Sequence, residues 1–121
     1  MTDFEITRLC AEAMDYQLGE MIAPVRGAPK QQMVFMNGRA YHEPYDPLHD
    51  DAQAMALVKK FHLLLFRPFD KWQAVPAKWW NKAPQFIHDG DYNPLAQNDD
   101  LNRAICECVA KMQAAKAAPH D

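Results

Sequence analysis

Apolar residues recur at every third or fourth position in three stretches of the chain, the spacing that places them on one face of a helix. This spacing predicts one helix over about residues 3–15, a second from a cap at Asp50 or Asp51 to about residue 61, and a third over about residues 99–116. The predicted stripes are Ile6, Leu9, Cys10, Ala13 and Met14; Ala52, Met55 and Ala56, continued by Lys59 and Lys60; and Leu101, Ala104, Ile105, Cys108, Val109 and Met112. A side chain that can accept a bond from a free backbone amide stands at the start of each stretch. These capping groups are Thr2 with Glu5 in a capping box, Asp50 or Asp51, and Asn98 or Asp99.

Strand-forming residues occupy the two segments between the predicted helices. Residues 33–36 and 39–42 flank Asn37 and Gly38, a pair that favours a two-residue hairpin turn because both central residues of that turn need positive φ. Gly19 and residues 24–29, which are rich in proline and glycine, predict a loop before this hairpin. The second segment predicts a hairpin from residues 63–66 and 72–75 with its turn at 69–71, and a further strand at 85–88.

The order of elements is helix, hairpin, helix, strands and helix, which is typical of an α+β domain. We therefore predict a small antiparallel sheet with about three helices packed on it, as an α/β sandwich. A chain of 121 residues fits one domain, and it can bury about two-thirds of its unfolded surface without needing a disulfide or a metal. The predicted domain spans residues 1–121, with residues 117–121 as a frayed tail.

The net charge and the cysteine content limit the classes of binding partner and the cellular compartment that we expect for this protein. The net charge is −3 and the 13 Lys and Arg residues are scattered, whereas a protein that neutralises nucleic-acid phosphates needs clustered cations. The three cysteines are odd in number, and Cys106 and Cys108 point to different faces of one predicted helix, which favours a reducing compartment. No apolar run reaches the roughly 18 residues of a membrane span, and residues 1–5 lack the features of a secretory signal. We expect a cytoplasmic protein with no membrane partner, and nucleic acid is not an expected partner.

Histidines and acids are the candidate groups for metal binding and acid–base catalysis. The five histidines lie at neither helical nor zinc-finger spacing, so we expect no metal and no cofactor. Acid pairs at 50–51, 89 and 91, and 99–100 could converge for acid–base work. The first and last pairs also suit helix caps, which is the simpler interpretation.

The cysteines are the candidate nucleophiles. Cys10, Cys106 and Cys108 lie on or beside apolar stripes, which favours inert core thiols. Arg103 and Lys111 each lie three positions from a thiol, and a cation so placed could lower the pKa of that thiol. We interpret the three cysteines as core residues and predict no catalytic residue.

Tryptophans and cations crowd into the short segment 67–82. Aromatic faces beside cations can stack bases, and Trp is enriched in binding hot spots. A nucleotide-like ligand would have its base stacked by Trp79 or Trp80 and its phosphate met by a nearby cation; alternatively, the tryptophans complete the core and the lysines face solvent. The candidate ligand-binding residues are Arg67, Lys71, Trp72, Trp79, Trp80 and Lys82, together with Tyr45 and Tyr92, which begin two similar Tyr-Asx-Pro-Leu segments.

Residues in and around the three predicted helices carry a resemblance to a known family. They are Thr-Asp-Phe-Glu-Ile at 2–6 and Cys-Ala-Glu-Ala at 10–13; Tyr-Asp-Pro at 45–47, leading to Asp-Ala at 51–52 and Ala-Met at 54–55; and Asn-Pro at 93–94, followed by Leu-Asn-Arg-Ala-Ile-Cys at 101–106. In this order they resemble the small phage and prophage proteins of the NinX type and the related phage ABA-sandwich domain. The resemblance implies an α/β sandwich encoded among accessory phage genes, and it transfers no catalytic residue. Residues 61–91 depart from the family pattern.

Resemblance and composition together predict a non-enzymatic phage or prophage accessory protein, with counter-defence as one possible role. The resemblance implies action by binding, either of a host protein or of a nucleotide-like small molecule that the protein sequesters. Fold analogy alone does not give function, so two alternatives stay open. One is a small enzyme that uses an Asp pair such as Asp89 and Asp91, and the other is a plain structural module that forms a homo-oligomer.

Overall fold

The computed structural model describes residues 1–23, 25–36, 41–67, 70–77 and 96–117. The helices in these ranges are α1 (Asp3–Ala13), α2 (Asp51–Phe61) and α3 (Leu101–Ala117). The strands are β1 (Gln17–Ile22), β2 (Gln31–Phe35), β3 (Glu43–Pro44), β4 (Leu63–Phe66), β5 (Trp72–Pro76) and β6 (Ala96–Asn98). The predicted α+β class, with three helices and antiparallel strands, is confirmed.

The described strands form two sheets rather than one. The first sheet has the order β1-β2-β3 and the second has the order β4-β5-β6, and all four strand pairings are antiparallel. Helix α1 packs on β1 and β2, α3 packs on β5 and β6, and α2 packs on β4. Because α3 also contacts both other helices, the helices connect the two sheets, and buried residues of the helices and of both sheets form one core.

The helical core is built from apolar side chains of all three helices. Ile6 and Cys10 of α1, Leu57 of α2, and Ile105 and Val109 of α3 are buried. Burying each aliphatic side chain of this size contributes about 1.5–3 kcal/mol. The apolar stripe predicted for α3 is confirmed. Within the described chain, no helix is both long and apolar enough to cross a lipid bilayer.

Helix α1 begins as the sequence predicts and ends earlier. The Thr2 hydroxyl accepts a hydrogen bond from the Glu5 amide at 3.1 Å, which confirms Thr2 as the cap. The helix ends at Ala13 rather than residue 15, and Asp15 adopts a left-handed φ of 62°. The Lys60 ammonium donates to the Ala13 carbonyl at 2.9 Å, so a side chain of α2 satisfies one of the carbonyls left free where α1 ends.

The loop predicted at Gly19 is wrong, because Gly19 lies inside β1. Gly19 and Glu20 face the single residue Met33 between two regular pairs, which makes a β-bulge. The buried Gln32 amide donates to the carbonyls of both Gly19 and Met33 at 2.9 Å, and this supplies partners where the ladder is interrupted. A Cβ on Gly19 would lie 3.2 Å from the Met33 oxygen, so glycine allows the two strands to approach. The predicted loop does hold at residues 25–28, where the Ala28 amide bonds to the Val25 carbonyl.

The first hairpin has a register different from the predicted one. A two-residue turn at Asn37 and Gly38 would place Met33 opposite His42, but the structure pairs Met33 with Pro44. The strand that pairs with β2 is Glu43–Pro44, and the described part of the predicted strand, residues 41–42, precedes it. The ladder continues through the Tyr45 amide, which donates to the Gln32 carbonyl at 2.8 Å. This register buries the Tyr45 ring, and the burial outweighs the local turn preference. Residues 37–40 lie outside the described ranges.

Helix α2 ends at Phe61 as predicted and begins after Asp50, one of the two predicted caps, but it buries a different face. The Asp50 carboxylate accepts from the Gln53 amide at 3.0 Å, which confirms the cap. The buried residues are Ala54 and Leu57, whereas Met55 of the predicted stripe is exposed. The other predicted stripe residues are exposed at Ala52, Lys59 and Lys60 and half-buried at Ala56.

The second sheet confirms the predicted hairpin of β4 and β5, with Leu63 opposite Pro76 and Phe66 opposite Gln73. Strand β6 was not predicted, and the predicted strand at 85–88 lies outside the described ranges. The predicted cap of α3 is wrong by one residue, because it is Asp100 whose carboxylate accepts from the Asn102 amide at 3.0 Å. Asn98 instead accepts from the Asp100 amide at 2.9 Å and shapes the turn before the helix.

Candidate functional site

The described part of the predicted Trp and Lys cluster lies at the turn end of the β4–β5 hairpin, where β4 ends and β5 begins. The Arg67 guanidinium carbon is 5.7 Å from the centre of the half-buried Trp72 ring, a cation–π distance. The Lys71 ammonium lies 3.4 Å from an Asp99 carboxylate oxygen, and both groups are exposed. An anionic ligand at this end would meet Arg67 directly but would compete with Asp99 for Lys71. The candidates Trp79, Trp80, Lys82 and Tyr92 lie outside the described ranges.

Tyr45, the remaining candidate, is a core residue. Its side chain is 2% exposed and packs edge-on against Tyr16, with ring centres 5.5 Å apart. Its hydroxyl has no hydrogen-bond partner within the described ranges. Burial, reinforced by nearby Cys10 and Cys106, raises the pKa of Tyr45 far above its ordinary value. The ring therefore contributes packing, while the hydroxyl bears a desolvation cost.

Removing this hydroxyl should stabilise the protein. A buried polar group without a partner costs about 1–3 kcal/mol, so Tyr45→Phe should raise the free energy of unfolding by about 1 kcal/mol, with the ring contacts kept. Urea denaturation followed by circular dichroism measures the change. Tyr16→Phe is the matched control, and a loss of stability in Tyr45→Phe would mean that the hydroxyl has an essential partner.

The three thiols are placed where chemistry is suppressed. Cys10, Cys106 and Cys108 are fully buried, and the Cys10 thiol donates to the Cys106 carbonyl at 3.4 Å. A hydrogen bond with Cys10, together with burial, raises the pKa of the Cys106 thiol. Burial raises the pKa of Cys108 to about 12, although Lys111 acts in the opposite direction. A neutral, buried thiol is a poor nucleophile, so these positions suit packing.

Arg103, the other cation considered for thiol activation, is engaged elsewhere. Its guanidinium donates to Asp3 at 2.7 Å and to Glu107 at 2.9 Å. It therefore ties the start of α1 to α3, and its charge is shared between two carboxylates.

The described acid pairs meet at one place although they are about fifty positions apart in the chain. Asp50 caps α2 and Asp100 caps α3. The Asn102 side-chain amide donates to the Asp51 carboxylate at 2.7 Å and so joins the two helix starts. The pair at 89 and 91 lies outside the described ranges. The carboxylates at the two helix starts thus hold helix ends and the contact between them.

A pocket of about 300 Å³ lies between these two helix starts. Its lining residues are Asp51, Met55, Asp100, Leu101, Asn102 and Ile105. Met55 is 42% exposed, and Leu101 is half-buried. The wall is therefore apolar and the rim carries two carboxylates. Sequence reasoning missed this pocket, because it placed Met55 in the core and no local pattern indicates that α2 and α3 start side by side.

A smaller pocket of about 160 Å³ lies between the start of α1, β2 and the turn before α2. Phe4, Lys30 and His49 contribute to its lining, as does one side of Tyr45. The His49 ring nitrogen lies 2.9 Å from an Asp46 carboxylate oxygen, which fixes this exposed turn. The mixture of charges and apolar groups favours no one ligand class.

No three His, Cys, Asp or Glu side chains in the described ranges come together in a way that could hold a metal ion. No family model, no curated protein and no solved structure matches the chain. The geometry of the site must therefore carry any functional argument.

Proposed function

We propose that the protein is a non-enzymatic accessory protein of a phage or prophage that acts by binding a host protein. The observation that carries the proposal is the acid-rimmed, apolar pocket between the starts of α2 and α3. Supporting it, the described thiols are core residues, and the carboxylates at the pocket cap helices or join them. These thiols and carboxylates therefore stabilise the fold, while the apolar wall of the pocket contacts solvent.

The charge of this pocket favours a protein partner over a nucleotide. A phosphate brought to the rim would be repelled by Asp51 and Asp100, and like charges at close range cost free energy. Exposed apolar side chains such as Met55 are enriched at protein interfaces. A protein surface that presents apolar and cationic groups together would match both parts of the pocket.

This proposal is tested by isolating the complex with a host protein and then re-forming it from the purified components. The tagged protein, expressed in a bacterial host, should retain one host protein in stoichiometric amount through gel filtration. The purified pair should then re-form a complex of defined mass by light scattering. If no purified host protein forms such a complex, the proposal is wrong. A counter-defence role further predicts that the partner belongs to a host system that acts against phage.

A second candidate function, sequestration of a nucleotide-like molecule, is favoured by the cation–π contact between Arg67 and Trp72. A base could stack on the exposed guanidinium plane while a phosphate is held by the same cation. This candidate requires the end of the hairpin rather than the pocket, so the two functions are separable by mutation.

A thermal-shift screen against cyclic nucleotides and ADP-ribose tests the second candidate. A ligand that binds the native state raises the melting temperature, and at about 100 times its Kd it adds about 2.7 kcal/mol of stability. We expect Arg67→Ala to abolish the shift and Lys59→Ala, an exposed position on α2, to keep it. Trp79→Ala tests the sequence-based part of the site. A shift retained in Arg67→Ala would remove Arg67 from the site.

A further inference from the structure

The pocket between α2 and α3 has an apolar wall and an acidic rim, and a single long cationic side chain could contact both. Its wall is formed by Met55 and Leu101 over the buried Ile105, and its rim by Asp51 and Asp100. Arg and Lys bury their methylene stems along apolar surface while their charged ends reach polar groups. At about 300 Å³, the pocket is at the small end of the range for ligand pockets, roughly 300–1,000 Å³. It suits one inserted side chain better than a large ligand.

The two carboxylates at the rim are both hydrogen-bonded to one residue, Asn102. Asp51 and Asp100 accept hydrogen bonds from the side-chain and backbone amides of Asn102, which are neutral donors. Within the described ranges no cation pairs with either carboxylate. The partial positive charge of the two helix starts offsets part of this negative charge, by about half an elementary charge per helix. A carboxylate has about four lone-pair sites, so oxygens remain to accept from a guanidinium.

The acids adjacent in sequence extend the same charge. Asp50 precedes Asp51, and Asp99 precedes Asp100, so each helix start carries two carboxylates in succession. Among the described cations, Lys71 forms an ion pair with one of these four carboxylates, that of Asp99. The face is therefore acidic around an apolar opening, which is the complement of an arginine that lies among apolar residues.

We propose that this pocket is a docking site for an arginine side chain of the partner protein, with its methylene stem against Met55 and its guanidinium at Asp51 and Asp100. Arginine fits better than lysine, because its planar donors match carboxylates in pairs and it is weakly hydrated. The inference rests on the proposed function in that it names the chemistry of the host protein's contact. Arginine is also enriched among residues that dominate binding energy.

The test uses n-butylguanidinium as the probe, so it does not depend on identifying the partner. Titration of the ¹⁵N-labelled protein should shift the amide signals of Asp51, Met55, Leu101 and Asn102 in a saturable way. Guanidinium chloride and n-butanol, each carrying half of the probe's chemistry, should bind more weakly at the same residues. No saturable shift, or shifts centred on other residues, would overturn the inference.

Two matched double variants give the test its specificity. Asp51→Asn with Asp100→Asn keeps both side-chain oxygens that accept from Asn102, and asparagine is as good a helix cap as aspartate. This variant should weaken probe binding by about fivefold or more, as expected for two partly exposed charge contacts. Asp15→Asn with Asp70→Asn makes the same change in net charge at two left-handed positions that asparagine tolerates. Its affinity for the probe should be unchanged.

The outcomes separate the docking site from the proposed function. Equal probe affinity in both double variants would remove the docking site, even if a host protein still binds. A dimer that occupies the pocket with a second copy of the chain, seen by light scattering together with absent probe shifts, would also overturn the inference. Weakened binding of the purified host protein by Asp51→Asn with Asp100→Asn, but not by the control variant, would support it.

Discussion

Leu57→Ala should lower the free energy of unfolding by about 2–5 kcal/mol, because the side chain is fully buried and its removal leaves a cavity. Met55→Ala, two positions earlier on the same helix, should change it by no more than about 0.5 kcal/mol, since an exposed side chain loses little contact. Both free energies are measured by urea denaturation at pH 7, with circular dichroism at 222 nm as the signal.

The pair of variants decides which face of α2 packs on the rest of the protein. Both changes shorten an unbranched or γ-branched side chain to alanine within one helix, so differences in helix propensity are small. If Met55→Ala costs as much as Leu57→Ala, α2 packs through the stripe predicted from the sequence, and the pocket beside Met55 does not exist as described.

The wrong stripe in α2 has a physical origin in its composition. Apolar residues lie around most of the helix, and several are alanines, whose small side chains give little preference for one face. The choice is made by neighbours distant in sequence, since α2 packs against α3 and β4. Helix α3 was read correctly because its larger residues, Leu101, Ile105, Val109 and Met112, follow one stripe.

The cysteines of α3 show that a single apolar stripe does not identify every buried residue of a helix. Cys106 and Cys108 point to different sides of the helix, yet both are fully buried. This follows because α3 contacts α1, α2 and the second sheet. A helix surrounded on several sides buries residues outside its most apolar stripe, and only the tertiary arrangement shows this.

Strand β1 was missed because its pairing does not depend on its own hydrophobic pattern. Gln17–Ile22 contains polar residues and Gly19, which is depleted in strands. The strand is held by β2 through a bulge, and the amide of Gln32 supplies partners there. A side chain from the neighbouring strand thus compensates for a segment that would be assigned to a loop on propensity alone.

The candidate site was predictable only in part. The tryptophans and cations near residue 70 were evident from composition, and the structure places Arg67 against Trp72. The acid pairs were also evident, with helix capping as their expected role. Two of these acid pairs meet beside an apolar pocket. Their meeting depends on the contact between Asp51 and Asn102, two residues that are 51 positions apart in the chain. Sequence patterns are local and carry no information on such a contact.

The protein should lose stability as the pH rises above 9, because unfolding exposes thiols that ionise only in the unfolded chain. The pKa values of Cys106 and Cys108 are raised above their ordinary 9.0 in the folded protein. Below pH 9 both states hold these protons, so the two thiols add no pH dependence. Above pH 9 the folded protein binds more protons than the unfolded chain, and the free energy of unfolding falls.

At pH 10 the two thiols together should lower the free energy of unfolding by roughly 3 kcal/mol relative to pH 8. Denaturation at both pH values in the presence of a reductant measures this loss. Lysine ion pairs also weaken in this range, so the comparison is with a variant that carries Cys106→Ala and Cys108→Ala and keeps those pairs. From pH 8 to pH 10, the free energy of unfolding of the unaltered protein should fall by about 3 kcal/mol relative to that of the variant. If the two proteins instead lose stability in parallel as the pH rises, these thiols ionise as readily in the folded protein as in the unfolded chain. Burial of α3 between α1, α2 and the second sheet should prevent this.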